Sequence, residues 1–131
     1  MADTITFEEF KKVDLRIGKI LEVEDHPNAD KLYILTVDIG QEKRKMVAGI
    51  KKWYSKEELI GKEVVIVSNL EPKVIRGVES KGMILASLVD DTLGIITVDK
   101  ELPPGSKITW FIYSLPVQDL SLSTIFTRIE R

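Results

Sequence analysis

Cysteine is absent from the 131-residue chain, and histidine occurs once. The missing thiols exclude a disulfide scaffold, a thiolate zinc site and a cysteine nucleophile. A Ser-His-Asp triad could be built only around His26. A single imidazole without thiolates is also a poor ligand set for a transition metal. The carboxylates of Asp14, Asp25 and Asp30 have no evident partner base. We therefore expect a protein without metal, cofactor or catalytic activity.

Long apolar runs are also missing. No stretch approaches the roughly 20 residues that cross a bilayer, and the segment Met1–Ile5 lacks the basic and apolar regions of a secretory signal. We expect a cytoplasmic protein without membrane contact. The length fits a single domain of about 100–150 residues, and a hydrophobic content of 44% is enough to form a core.

No charge of either sign dominates, since 19 Lys and Arg residues face 21 Asp and Glu residues. The distribution is uneven, because residues 31–82 carry 11 positive and 7 negative side chains, a net charge of +4. Phosphate binding depends on local rather than global charge. The basic middle of the chain therefore favours a bounded patch for one anionic partner. The alternative is that Lys and Arg only cover the surfaces of hairpins.

The dominant pattern in the sequence is a series of short stretches in which apolar residues follow the two-residue period of β-strands. Odd-numbered positions are the more apolar ones in Leu15–Val23 and Tyr33–Gly40, whereas Val64–Val67 is a β-branched run typical of a strand covered on both faces. Three further strands are predicted at Met83–Leu88, Leu93–Val98 and Ile108–Tyr113, with turns at residues 41–43, 90–92 and 102–105. Such short, closely spaced strands favour a small barrel or sandwich.

Two short helices are expected among the strands. Phe7–Val13 has two phenylalanines three residues apart, which can lie across one end of a barrel. Ser55–Leu59 begins with a capping box, and Gly61 follows as a helix-ending glycine. A helix between the third and fourth strands of a five-stranded barrel is the OB-fold pattern. We predict an all-β protein with an OB-fold barrel in residues 1–108 and an apolar C-terminal extension in residues 109–131.

Four segments, in order and in register, carry a family resemblance. They are Asp14–Ile20 at the start of the barrel, His26–Tyr33 in the first turn, Val37–Gly40 with Val47–Ile50 before the second helix, and Asn69–Met83 in the last long loop. Together they make the chain resemble the tRNA-binding domains of methionyl-tRNA synthetases. These domains occur at the synthetase C-terminus, as β subunits and as free-standing tRNA-binding proteins. The resemblance covers Phe7–Ile108.

The resemblance implies a non-catalytic OB-fold module that binds tRNA by shape, at the outer side of its L, and assists a synthetase. It implies a homodimer, with tRNA and methionyl-tRNA synthetase as candidate partners. The family's tRNA-contacting positions lie on the basic turn and the last long loop, and the matching residues are Lys31, Asn69, Arg76, Ser80 and Met83. Glu71 departs from the pattern, because relatives usually carry Lys before the proline. This departure removes one phosphate partner.

The cations near these positions suit an RNA backbone. Arg76 precedes a glycine in a loop, so its guanidinium can grip phosphate oxygens, with Lys73 and Lys81 beside it as point charges. Lys43 and Arg44 fit a hairpin tip that touches phosphates. The alternative is that the other four cations are solvated surface charges: Lys43, Arg44, Lys73 and Lys81.

The polar and apolar candidates have structural alternatives as well. Asn69 and Ser80 can hydrogen-bond ribose or phosphate, or Asn69 can cap its own loop. Met83 offers an adaptable apolar surface to a base, or it belongs to the core. We interpret His26–Asp30 as a rigid turn rather than a metal or acid–base site. Trp53–Tyr54 is expected to fix the second helix to the barrel rather than stack on bases.

Two questions stay open at this stage. The apolar extension 109–131 is expected to line a homodimer interface, and packing on its own barrel is the alternative. The second candidate function is that of a dimeric chaperone related to secretion chaperones, which binds unfolded chains through apolar clefts. The first turn of that branch resembles His26–Tyr33 less closely.

Overall fold

The computed structural model describes residues 3–109. All but the first residue of the predicted extension 109–131, and most of the predicted strand Ile108–Tyr113, lie outside the described residues. The elements are α1 (Phe7–Phe10), β1 (Leu15–Asp25), β2 (Tyr33–Asp38), β3 (Lys43–Ala48), α2 (Lys56–Leu59), β4 (Glu63–Val67), β5 (Lys73–Ile75), β6 (Val78–Ser80), β7 (Met83–Ile84), β8 (Ala86–Val89) and β9 (Thr92–Ile95). Within the described part of the chain, neither helix is long and apolar enough to cross a membrane.

Five antiparallel strands form a nearly closed barrel in the order β3-β2-β1-β4-β7. The long strand β1 serves two partners, since its first half pairs with β4 and its second half with β2. A bulge between Ile20 and Glu22 bends β1 between these partners. The helix α2 follows β3 and buries Leu59 completely against the barrel. The predicted OB-fold, with its helix between the third and fourth strands, is confirmed.

The core fills the inside of this barrel. The alternation predicted for β2 is confirmed, because the odd positions from Tyr33 to Ile39 are all buried. Every residue of β4 is buried, as its continuous apolar run predicted. The alternation predicted for β1 is wrong before its bulge. There the even positions face the core, since Ile20 is fully buried and a Cβ added to Gly18 would meet Val37 and Ile66. Beyond the bulge the odd position Val23 packs against the core, because the inserted residue turns the strand over.

The barrel closes between β3 and β7 without a continuous ladder between these two edge strands. Lys81 N–H donates to the Lys45 carbonyl over 2.9 Å. Val47 N–H donates to Ser80 Oγ over 3.0 Å, and that hydroxyl donates to the Gly82 carbonyl over 3.2 Å. We call these contacts between β3 and residues 80–82 the seam.

Several predicted boundaries change. The first helix ends at Phe10 rather than Val13, and its two phenylalanines stay 42% and 39% exposed instead of covering the barrel. The turn at 41–43 is shorter because β3 already begins at Lys43. The strand predicted at 83–88 is broken at Leu85, so that β8 and β9 form a separate hairpin.

The local signals around the second helix are confirmed. Ser55 Oγ accepts the Glu58 N–H, and the Glu58 carboxylate accepts the Ser55 N–H, which completes the capping box. Trp53 Nε1 donates to the Asp91 carbonyl over 3.0 Å, and the Tyr54 hydroxyl accepts the Ile95 N–H over 3.2 Å. The two aromatic residues therefore fix this segment to the β8–β9 hairpin.

Candidate nucleic-acid interface

The long loop predicted at 69–83 contains a β-hairpin, which the sequence did not predict. β5 and β6 pair along their whole length and leave Arg76 and Gly77 as a two-residue turn. Both residues have positive φ, 53° and 91°, as in the turns that match the twist of a hairpin. Glycine adopts this conformation freely, whereas Arg76 is held in the left-handed region against its preference. The turn places Arg76 at the tip of the hairpin.

The hairpin tip contacts the first turn of the barrel. Arg76 Nη2 donates to the Asn28 carbonyl over 3.0 Å, and Asn28 Nδ2 donates to the Arg76 carbonyl over 3.4 Å. Behind them His26 is 5% exposed, and its Nε2 lies 3.0 Å from the carbonyl oxygen of Ile75. Lys31 stands exposed three residues after Asn28. The first turn and the hairpin, far apart in sequence, thus form one end of the barrel.

The turn predicted for His26–Asp30 is confirmed. The His26 N–H donates to the Leu32 carbonyl over 3.1 Å, and the Leu32 N–H donates to the Ala29 carbonyl over 3.3 Å. The Asn28 amide reaches the hairpin instead of its own turn. Among residues 3–109, no three His, Cys, Asp or Glu side chains are grouped so that they could hold a metal ion.

Three lysines of the predicted site are exposed and have no ion-pair partner among residues 3–109: Lys31, Lys43 and Lys73. Lys45 and Lys81 form ion pairs of 3.3 and 3.9 Å with Glu24 and Glu79, and more than half of each lysine side chain is exposed. Exposed pairs of this kind contribute at most about 1 kcal/mol. A phosphate group can therefore replace either glutamate at little cost.

Asp25, at the end of β1, neutralises two other lysines. Its carboxylate oxygens lie 2.9 and 3.1 Å from Nζ of Lys51 and Lys56. The hydrogen bond from Lys51, and then that from Lys56, lowers the pKa of Asp25, and the bond to Asp25 raises the pKa of Lys51. Asp25 is therefore ionised at neutral pH, and these two lysines add less to a phosphate-binding surface than their number suggests.

A groove of about 640 Å³ runs between β3 and the β5–β6 hairpin. It collects three of the predicted residues, Lys73, Ser80 and Met83. Its other lining residues are mostly apolar: Val47, Leu70, Pro72 and Ile75, with Glu71 and Gly82. Met83 is 46% exposed, and so lies at the surface rather than in the core. The sequence did not single out the apolar members because apolar residues in a β-rich chain are first assigned to the core.

Asn69 and Arg44 lie at a second, polar pocket of about 440 Å³, and both are engaged internally. Asn69 Oδ1 accepts the Asp14 N–H over 2.9 Å, and its Nδ2 donates to the Lys12 carbonyl. Arg44 Nη1 donates to the Ser68 carbonyl over 2.6 Å. These side chains hold the segment before β1 and the end of β4 in place. Asn69 therefore bonds across the fold rather than capping its own loop, and its contact with tRNA stays a prediction.

Arg16 also lines the polar pocket and was not a candidate in the sequence. Its Nε lies 3.1 Å from both carboxylate oxygens of Asp14, and its Nη1 donates to the Gly105 carbonyl over 3.2 Å. The alternating pattern of β1 indicated only that Arg16 points away from the core. Its pairing with Asp14 makes it part of the scaffold that carries Asn69.

Ser80 is buried, with 5% of its surface exposed, and belongs to the seam. Its hydroxyl both accepts from Val47 N–H and donates to the Gly82 carbonyl. In this conformation the oxygen has little capacity left for ribose or phosphate. The side chain supports the wall of the groove through the seam, and its contact with tRNA stays a prediction.

Replacing Ser80 by alanine should lower the free energy of unfolding by about 1–3 kcal/mol, because the Val47 N–H loses its partner. Urea denaturation followed by tryptophan fluorescence measures this change. Ser87→Ala is the matched control, since Ser87 is exposed on β8. Equal stability of the two variants, combined with weaker RNA binding by Ser80→Ala alone, would assign Ser80 to ligand contact instead.

The chain also matches known proteins. A family model described as "Putative tRNA binding domain" matches residues 15–107. The chain belongs to this tRNA-binding domain family. Methionine–tRNA ligase of Pyrococcus furiosus is 58% identical to it over 104 residues, which are 79% of this chain and 14% of the ligase. The tRNA-binding domain therefore corresponds to a small part of the ligases it matches, and the catalytic activity of the ligases resides in other domains.

This chain also matches solved structures of related proteins over their full length. A MetRS-related protein from Pyrococcus horikoshii superposes with a TM-score of 0.77 at 34% identity, covering 82% of this chain and all of that one. The chaperone CsaA from Bacillus anthracis superposes with a TM-score of 0.76 at 32% identity, again covering 82% of this chain and all of the other. The tRNA-binding domain family thus includes both proteins related to a synthetase and proteins described as chaperones.

Proposed function

We propose that this chain is a non-catalytic module that docks tRNA on the barrel end formed by the first turn and the β5–β6 hairpin. Its cellular role is to assist aminoacylation in the cytoplasm, with methionyl-tRNA synthetase as its partner, and to act as a homodimer. The family membership supports tRNA as the ligand. The arrangement of the charged side chains supports the docking site.

One observation carries the docking site: cations from separate parts of the chain lie on one end of the barrel and are free to bind phosphate. Lys31 belongs to the first turn and Lys73 to the hairpin, and both are exposed without an ion-pair partner among residues 3–109. Arg76 joins the two segments through Asn28. Phosphates attract such clustered cations even when the net charge of the chain is −2.

The RNA contacts come mainly from long side chains and the groove. Arg76 uses Nη2 to hold the Asn28 carbonyl, which orients the rest of its guanidinium at the exposed hairpin tip. A guanidinium fixed in this way loses little freedom on binding phosphate. Met83 and Leu70, both 46% exposed, offer apolar surface to a ribose or an unstacked base along the groove.

Arg76→Ala should weaken tRNA binding by about 1–3 kcal/mol, the range for a charge-assisted contact. A gel-shift titration with tRNA at fixed salt measures the effect. Lys100→Ala is the control, because Lys100 is exposed beside Gly61 and Thr97, away from the hairpin. If both variants bind like the wild type, the docking site lies elsewhere on the molecule.

The choice of nucleic acid tests the function itself. Competition between tRNA and single-stranded DNA of equal length should favour tRNA, because a shape reader contacts the folded backbone and its 2′-hydroxyls. Equal affinity for both competitors would show that the module binds polyanions in general, without preference for folded RNA.

The apolar groove favours peptide binding as a second candidate function. Its lining residues Leu70, Pro72 and Ile75 surround an opening large enough for a side chain or two of an extended segment, and CsaA structures share the fold. Suppression of the aggregation of an unfolded test protein, without measurable tRNA binding, would establish this function in place of the first.

A further inference from the structure

His26 is a buried group that the docking site as proposed does not use. Its Nδ1 accepts the Asn28 N–H over 3.0 Å, and its Nε2 lies 3.0 Å from the carbonyl oxygen of Ile75. A carbonyl oxygen only accepts and a backbone N–H only donates. The two contacts therefore specify one form of the ring, neutral and protonated at Nε2.

This ring connects the first turn with the hairpin across 49 residues of sequence. Two other bonds make the same connection, from Arg76 to the Asn28 carbonyl and from Asn28 to the Arg76 carbonyl. Both of these are exposed, whereas the imidazole is only 5% exposed. Water competes less with a shielded bond, so the imidazole provides the firmest of the three links.

We infer that His26 is a positioning residue for RNA binding, which fixes the β5–β6 hairpin against the first turn so that Lys31 and Arg76 face the ligand in a constant relation. This inference rests on the proposed function. A preformed surface avoids the cost of ordering a loop when the ligand binds.

Two substitutions distinguish the contact made by Nε2 from the contact made by Nδ1. His26→Gln places an amide nitrogen where Nε2 lies and keeps the donor to the Ile75 carbonyl, while it loses the acceptor for Asn28. His26→Asn places an oxygen where Nδ1 lies and keeps that acceptor, while it loses the link to the hairpin. The two variants are alike in polarity, so a difference between them reports the link itself.

The first measurement is hydrogen exchange in the protein without RNA. We expect His26→Asn to raise exchange in residues 73–80 about 3- to 10-fold relative to His26→Gln, the ratio for one lost hydrogen bond. The amides of β1 and β2 serve as internal reference. Equal exchange in the two variants, or a rise spread evenly over β1 and β2, would overturn the link.

The second measurement is tRNA affinity in the same variants. His26→Asn should bind about 3- to 10-fold more weakly than His26→Gln. Equal affinities, with a clear difference in exchange, would make His26 structural only. If the wild type itself does not bind tRNA, the proposed function fails, and the exchange experiment still decides whether His26 joins the two segments.

Discussion

Raising the salt concentration from 50 to 200 mM should weaken tRNA binding to this protein about 20- to 2,000-fold, for contacts to three to six phosphates. The lower bound corresponds to the three lysines of the predicted site that have no ion-pair partner among residues 3–109, Lys31, Lys43 and Lys73. The upper bound adds Arg76 and the two weakly paired lysines, Lys45 and Lys81. Each neutralised phosphate contributes about 0.7 to 0.9 to the slope of log K against log salt. Fluorescence anisotropy with labelled tRNA measures that slope.

A variant with Lys31, Lys43 and Lys73 changed to glutamine makes the test specific. Its slope should be smaller than that of the wild type by about 2 to 3, because three counterion-releasing contacts are gone. A matched variant with Lys12, Lys100 and Lys107 changed to glutamine removes three exposed charges, also without an ion-pair partner among residues 3–109, elsewhere. Equal slopes for both variants would show that net charge, rather than the predicted phosphate contacts, controls binding.

Gly105→Ala should lower the free energy of unfolding by about 2–5 kcal/mol, the sum of a left-handed backbone penalty and an overpacking penalty. Gly105 has a φ of +88°, and a Cβ added there would overlap the Ile39 carbonyl oxygen and lie 2.9 Å from the carbonyl carbon. The obstacle is backbone, which yields less easily than the end of a side chain. Urea denaturation measures the change.

Gly61 provides a control with the same backbone angle. Its φ is also +88°, but a Cβ added there meets no atom within 4 Å. Gly61→Ala should therefore cost only the conformational penalty, about 1–2 kcal/mol. Gly94→Ala, with open space and no positive φ, should cost nothing measurable. Equal losses for Gly61→Ala and Gly105→Ala would show that the loop before residue 106 moves aside freely.

Local signals allowed most of the scaffold to be predicted from sequence. The continuous β-branched run in β4 and the alternation in β2 each report burial directly, since side-chain direction follows the two-residue period. The capping box at Ser55 is a contact between near neighbours, so it is visible in the sequence. The bulge in β1 was not visible, because its position depends on the partners of that strand.

The candidate site was harder to predict, because its contacts join residues far apart in the chain. Asn69 bonds the segment before β1 at a separation of 55 residues, and Ser80 bonds Val47 at a separation of 33. No local pattern distinguishes such a side chain from one that faces RNA. The hairpin was missed for a related reason, since an arginine at positive φ is rare and its turn is stabilised by the distant Asn28. For every residue of the predicted site, the tRNA contact stays a prediction.

The seam also has a dynamic consequence. Fluctuations of a folded chain begin where main-chain pairing is weakest, and here that is the gap spanned by the Lys81–Lys45 bond and the Ser80 hydroxyl. Each transient parting of this gap carries the basic hairpin away from β3 and widens the groove. An RNA that contacts both sides of the seam would hold them together, so that the barrel opens less often when RNA is bound.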